Sequence, residues 1–507
     1  MKEVILVGDL GYGDAGKGST VDFLVRELQA GIVVRYNGGA QAAHNVVDPS
    51  GAHHTFSQFG SGTLMPGVRT HLSRFMLVDP LSMFREEQHL QELGITDAFS
   101  RTTIDQGALV VTPYHQALNR LREIARGSER HGSCGMGIGE AMSDFVAHGT
   151  RVLFIGDLQD PGQMKQKVHF LRELKLAGLQ TVRDKLPDTE PVRREIRVLE
   201  DSSLVDFIVD RYCQFTRRVD IVEPSFLGRL LAQDTVIGEG AQGILLDEWY
   251  GFHPYTTWST TTFQNADTLL QEQQYDGRIV RVGALRVYAT RHGPGPFVTE
   301  DMALTAALPD LHNPTNPWQL AMRIGYFDAV AARYAIAVAG QVDLLAVTHL
   351  DRLGDMEEWR IADRYGYCGS PAGLDDYFAL QDGAIADIKV GGFQDLVRQE
   401  QLTLRLQHCV PQYRVHPKSK SASETDVAAF LAQIEQQLGV PVGIVSQGPT
   451  ALDKGFTESW MRHMGNADLV PQSLLQRIAG PEEIESRTPA EVTAHCPSLA
   501  SPTRRAA

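Results

Sequence analysis

No stretch of this 507-residue chain approaches the length of apolar sequence that spans a membrane. Its five cysteines, Cys134, Cys213, Cys368, Cys409 and Cys496, form no C-x-x-C pair, which argues against a disulfide framework and a zinc cluster. Positive charge is also short, with 47 Lys and Arg against 62 Asp and Glu and a net charge of −15. Such a surface repels a polyanion, so nucleic acid is excluded as a general partner, while a local basic pocket for one nucleotide is not. The opening MKEVILVGDLGYG has too short an apolar run for a signal-peptide core. Together these absences predict a cytoplasmic protein with no membrane partner.

What is present is an ordinary globular composition, 43% hydrophobic and 21% charged. Val4 to Val7 is a short apolar run, a glycine-rich turn follows, and Thr20 to Leu28 has helical spacing. A second apolar run, Ile32 to Tyr36, completes a parallel βαβ unit. Further buried-strand patterns lie at Thr235 to Ile237, Ile279 to Val282, Leu344 to Thr348 and Val440 to Val445. Helical stretches between them include Phe327 to Ala339 and Asp426 to Leu438. Strands dispersed among helices predict an α/β fold with a large, mostly parallel central sheet. One body, residues 1–480, is expected, with insertions near 159–222 and 355–420. A Pro-, Ser- and Ala-rich tail, residues 481–507, is expected to be disordered.

The segment from Gly11 to Ser19 nearly matches the P-loop pattern G-x-x-x-x-G-K-[ST], with Gly18 inserted before Ser19. Glycines such as Gly13, Gly16 and Gly18 let backbone N–H groups turn toward phosphate, Lys17 adds a cation, and the following helix adds its dipole. Asp14 is out of place in such a loop unless something compensates its charge. It either stabilises the turn, or binds Mg²⁺, or acts as a general base.

Motifs along most of the chain resemble those of the adenylosuccinate synthetase family, which joins aspartate to IMP using GTP. The loop from Gly13 to Gly18 is similar to GDEGKG, and Val33 to His44 to VVRYQGGHNAGH. Gly132 to Gly139 is similar to GTTGRGIG, and Glu239 to Asp247 to EGAQGTLLD, with His253-Pro254-Tyr255 and Thr257 following. Thr290 to Glu300 resembles STRVGAGPFPTE, Thr348-His349-Leu350-Asp351 resembles TKLD, and Ser446 to Pro449 resembles STGP. The resemblance runs in family order from Val4 to about Pro449 and leaves the tail uncovered.

It implies a GTP-dependent carbon–nitrogen ligase of purine biosynthesis, binding Mg²⁺ and working as a homodimer. Asp14 would take the N1 proton of the purine, O6 would accept the γ-phosphoryl group, and an amine would then displace phosphate. His44 matches the acid near that phosphoryl group, and Gln242 the group that stabilises O6. The phosphates would lie on Gly13, Gly16, Lys17, Gly18 and Ser19, and Mg²⁺ on Asp14 and the carbonyl of Ala43. Gln41, Ser133, Cys134 and Thr257 match the pocket for the purine monophosphate. Asp351, Ser446, Gly448 and Pro449 match the guanine site, with ATP left open because His349 replaces the family lysine. Taken alone, Asp351 reads as a strand-end residue capping a turn.

The departures concern the substrates. The family's arginine-rich aspartate loop is missing, and between Asn313 and Asp328 only Arg323 is an arginine. Arg323 is thus either the remaining amino-acid contact or a solvated helix residue, with Arg291 or His292 as the fallback. Cys134 stands where the family has a phosphate-binding Thr, or is simply a core thiol. His148 stands where the family has an arginine donated across its dimer. These changes leave open a guanine nucleotide such as dGMP, a different amine, or a nucleotide-binding protein that no longer ligates.

Overall fold

The computed structural model describes residues 2–310, 321–417 and 423–465. The expected tail, the boundary at residue 480 and residues 313–320 of the stretch from Asn313 to Asp328 that replaces the aspartate loop lie outside them. Among the described residues ten strands form one sheet. In chain order these are β1 (Glu3–Asp9), β2 (Ile32–Arg35), β3 (Arg69–Leu72), β4 (Thr102–Asp105), β5 (Asp220–Val222), β6 (Val236–Glu239), β7 (Arg278–Arg286), β8 (Leu344–Thr348), β9 (Val442–Ser446) and β10 (Lys454–Phe456). Across the sheet the order is β10-β9-β8-β7-β1-β6-β2-β3-β4-β5. All neighbours are parallel except β9 and β10.

The apolar runs become the central strands because both faces of β1 are covered. Val4 and Leu6 pack on Leu227, Leu231, Leu269 and Leu270. Ile5 and Val7 pack on the opposite face against Val21 and Leu24 of helix α1 (Lys17–Glu27). Burial of each such side chain stabilises by about 1.5–3 kcal/mol. Six strands match the expected runs within a few residues. The strands β3, β4 and β5 read RTHL, TTID and DIV, which carry no apolar run, and only their neighbours make them strands. The expected helix after Phe327 starts at Ala329, because the Asp328 carboxylate caps it by accepting from the Ala331 N–H at 3.0 Å.

The first expected insertion is three helices, Pro161–Gln180, Glu190–Glu200 and Leu204–Thr216, and its end returns as the edge strand β5. The second carries strands Trp359–Tyr367, Phe378–Gln381, Ala384–Ile388 and Cys409–His416, which build a smaller sheet with Phe327–Asp328. No helix among the described residues is long and apolar enough to cross a membrane.

Candidate functional site

The carboxyl ends of six adjacent strands each finish on a polar residue: Ser446, Thr348, Arg286, Asp9, Glu239 and Arg35, from β9 to β2. In open parallel sheets this edge is where ligands bind. A cleft of about 580 Å³ lies there, lined by the glycine loop, Gln41 to Asn45, Gln242, Arg286, His292, and the residues around His349 and Ser446. It gathers Gly13, Asp14, Gly16, Lys17, Gly18, Ser19, Gln41, Ala43, His44, Gln242, Asp351, Ser446, Gly448 and Pro449 from segments distant in sequence.

Asp9 sets the shape of the loop. Its buried carboxylate accepts from the N–H groups of Gly11 at 2.9 Å, Gly13 at 3.2 Å and Ala15 at 3.0 Å, and from Lys17 Nζ at 2.8 Å. The expectation that these loop amides face phosphate is therefore corrected: three of them converge on the chain's own carboxylate. What remains for an anion is the start of α1, which Gly16 caps at φ 82° with no side-chain hydrogen bond. Gly18 replaces the usual Ser or Thr for a steric reason, since a Cβ there would lie 2.7 Å from the His44 Cβ. Asp14 takes the left-handed conformation at φ 61°. Its carbonyl accepts from Arg286 Nε at 2.5 Å, and its Oδ2 lies 3.6 Å from His292 Nε2.

Facing the loop is a histidine–carboxylate pair. His44 Nδ1 is 2.5 Å from Glu239 Oε1, and Ser61 donates to the same carboxylate through its N–H at 2.9 Å and its hydroxyl at 2.5 Å. Burial opposes charge on Glu239, yet Arg35, His44 and Ser61 outweigh it and hold the carboxyl at about 2. Burial also lowers His44, against the pull of Glu239. The pair is thus neutral imidazole and carboxylate, with Nδ1–H donated to Glu239. Asn37 clamps this wall by exchanging two hydrogen bonds with the Ala241 backbone, at 3.0 and 2.8 Å. Gln41 has both amide atoms, and Gln242 its Oε1, buried without a protein partner. Such groups cost about 1–3 kcal/mol when left unpaired, which marks a wall built for a polar ligand.

At the far end, burial raises the carboxyl of Asp351. His349 is pushed well down by burial, then by Arg286, Lys454 and Arg352, and its Nδ1 meets the Thr348 hydroxyl at 2.8 Å. Lys454 holds the Ser446 to Thr450 turn by donating to the carbonyls of Gly448 at 3.1 Å, Pro449 at 3.4 Å and Thr450 at 2.9 Å. Burial lowers its ammonium to about 8.

Four expected residues are not among those lining the cleft. Ser133 donates to Asn119 Oδ1 at 3.0 Å. Cys134 is half-buried, and burial pushes its thiol up. Their loop packs on the turn that follows His292, since a Cβ on Gly132 would lie 2.5 Å from Pro294. Thr257 donates its N–H to the Leu246 carbonyl at 2.9 Å. Arg323 lies on a strand, Met322–Gly325, paired with Ala289–His292, so the helix reading is wrong. Its guanidinium meets Glu300 at 2.7 Å and the carbonyls of Gly293 at 2.7 Å and Gly295 at 3.2 Å. Arg291 is buried and donates to the carbonyls of Pro294 and Pro296, whereas His292 lines the cleft. Glu239 opens the Glu239 to Asp247 motif but was given no role there, whereas Asp9, Arg286 and Lys454 carried no signal beyond a polar residue closing, or soon following, an apolar run.

A family model for adenylosuccinate synthetase matches residues 5–453. The chain belongs to that family. It is 33% identical over 378 residues to the adenylosuccinate synthetase of Mycobacterium leprae (strain TN), covering 73% of this chain and 81% of the relative. With that of Salinibacter ruber (strain DSM 13855 / M31) the identity is 32% over 466 residues, covering 86% and 94%. Two solved structures share the fold. The fully ligated adenylosuccinate synthetase of Plasmodium falciparum has a TM-score of 0.70 at 20% identity, covering 90% of this chain and 99% of that one. The succinoaminodeoxyadenylate synthetase of cyanophage S-2L, bound to dGMP and to dATP as an energy donor, has a TM-score of 0.54 at 18% identity, covering 92% and 99%. As an adenylosuccinate synthetase family member, this protein is a carbon–nitrogen ligase.

Proposed function

We propose that the cleft transfers the γ-phosphoryl group of GTP to O6 of a purine nucleoside monophosphate, IMP or a close analogue, and then joins C6 to the amine of aspartate or a related compound. The observation that carries this reading is the meeting of Asp14, the His44–Glu239 pair and Gln242 beside the N-terminus of α1 in one cleft. Asp14 would take the N1 proton, and Gln242 would hold the developing O6 charge. His44, neutral without substrate, would gain a proton as phosphoryl charge arrives, because Glu239 stabilises the imidazolium. The backbone of Lys17, Gly18 and Ser19 at the helix start would receive the phosphates, the Lys17 side chain staying on Asp9, and Asp351 with the Ser446 to Pro449 turn would read guanine.

Members of the family use Mg²⁺. The carboxylate of Asp14 and the backbone of Ala43, both on the cleft wall, offer the hard oxygen donors that this ion takes alongside phosphates and water. When bound it would neutralise phosphate charge.

Gln41, Ser133, Cys134 and Thr257 are proposed to hold the monophosphate, with the helix Ile138–His148 starting beside them. A homodimer is proposed on the exposed Phe145 and Val146 of that helix, next to His148. A carboxylate of the amine would take Arg323 from Glu300. Cys134, standing in place of a threonine, favours a second reading in which the substrate is a guanine nucleotide such as dGMP. The experiment is a panel of IMP, GMP and dGMP against aspartate and other amines, with GTP or ATP, following phosphate release. Release that needs both a 6-oxopurine monophosphate and an amine is expected; nucleotide binding without turnover for every pair would refute ligation.

A further inference from the structure

We infer that Arg286 is the side chain that grips the phosphoryl group in transit. The inference rests on the proposed phosphorylation of a 6-oxopurine. In that step the O6–phosphorus bond forms while the bond from the γ-phosphorus to the bridging oxygen breaks. The diphosphate leaves with the electron pair, and the N1 proton goes to Asp14. Charge spreads over the three equatorial oxygens of the phosphoryl group, and a fixed cation beside them speeds the step.

Among the described residues three Lys or Arg side chains line the cleft, Lys17, Arg286 and Arg352. Lys17 is committed to Asp9 at 2.8 Å, with both side chains buried beneath the loop. Arg352 stands at the base end beside Asp351 and pairs with Asp355 at 2.9 Å. Arg286 is different. It ends β7, and its Nε donates to the Asp14 carbonyl at 2.5 Å, which fixes the guanidinium against the residue that would take the purine proton. O6 and the γ-phosphorus must meet close to that point.

The outer edge of the guanidinium is poorly filled. Nη1 and Nη2 share a single oxygen of Asp310 at 3.2 and 3.3 Å, and Nη1 reaches the Tyr288 hydroxyl at 3.2 Å. Charge-assisted contacts of a well-seated fork are shorter, about 2.7–2.9 Å. One carboxylate oxygen between the two nitrogens stands where a phosphoryl edge would offer two. The competing reading is a strut that only holds the Asp14 backbone.

The test uses the full chain as wild type, Arg286→Ala and Arg286→Lys. Nucleoside triphosphate carrying oxygen-18 in the β,γ-bridge is incubated with Mg²⁺ and the purine monophosphate, without amine, and scrambling of the label is followed. Triphosphate binding is measured by calorimetry on the same samples. Arg286→Ala is expected to lose about 10³-fold in scrambling while triphosphate affinity changes by less than about tenfold, and added guanidinium ion should restore part of the loss. Arg286→Lys, which keeps the charge and can still donate to the Asp14 carbonyl, should bind triphosphate but scramble slowly, because it lacks the fork. Scrambling close to wild type in Arg286→Lys would overturn the inference, and so would a loss matched by equal loss of triphosphate binding. If Arg286→Ala does not fold, Arg286→Lys decides alone. No scrambling by the wild type with IMP, GMP or dGMP would instead refute the phosphorylation reading itself, and this inference with it.

Discussion

Asp14 joins a carboxylate to a left-handed backbone at φ 61°, a conformation that Asn also tolerates. Asp14→Asn should therefore keep the loop and the fold while lowering phosphate release by about 10²–10⁴-fold, the usual weight of a general base. Unchanged turnover with an unchanged thermal melt would remove Asp14 from that role. Asp351 makes a separate case. Only guanine presents an N1–H and an amino group side by side to one carboxylate, so Asp351→Ala should lower kcat/KM for GTP by more than about tenfold relative to ATP. Equal losses for both nucleotides, or a wild type that prefers ATP, would end the guanine assignment. Asp14, His44, Gln242 and Asp351 were legible because each sits inside a spaced motif. Arg286 was not, since a lone arginine at a strand end looks the same whether it meets solvent, a carboxylate or a phosphate.

Elements explain residues that motifs leave unexplained. The start of α1 lies against the strand His44–Val47 so closely that Gly18 has no room for a side chain. Gly18→Ala should push His44 away from Glu239 and lower kcat more than substrate affinity, at a stability cost of about 1–3 kcal/mol from overpacking. Wild-type kcat in a folded variant would show that the His44 position is not critical. The same contact makes stability depend on pH. Glu239 is held at about 2, below its ordinary value, so its stabilisation is complete above about pH 4.3 and is lost as pH falls toward 2. His44 is also lowered, so protonating it below about pH 6.5 costs the folded state in the same direction. The urea midpoint should fall steadily from pH 7 to pH 4 and below, with both members of the pair pulling in that direction. Glu239→Gln should be less stable at pH 7 and flatter across the acid range; an equally steep profile would place the titration elsewhere. At this scale the central strands were legible from continuous apolar runs. The strands β3, β4 and β5 were not, because partners rather than their own residues hold them in the sheet.

Across the whole molecule, one mostly parallel sheet brings six strand ends together, and the residues proposed for catalysis assemble there, whereas the stretch proposed to hold the amine lacks the family's arginines. The sequence from residue 311 to residue 320, LHNPTNPWQL, contains no Lys or Arg, so no arginine fork for a second carboxylate can come from it. Nearby, Arg323 already holds a carboxylate, that of Glu300 at 2.7 Å, and both side chains are partly open to solvent. If the amine's carboxylate takes the place of Glu300, two substitutions must act in opposite directions. Arg323→Lys removes the planar fork and should raise the amine KM by more than about tenfold, the size of one charge-assisted contact, with the purine KM nearly unchanged. Glu300→Gln removes the internal competitor and should lower the amine KM. With one such contact instead of a cluster, aspartate should be favoured over amino acids bearing a single carboxylate by less than about tenfold. Amine KM values that stay level in both variants would mean that Arg323 and Glu300 only brace the Gly293 to Gly295 turn. Selection of the amine would then fall to His292, which this turn presents to the cleft beside Asp14.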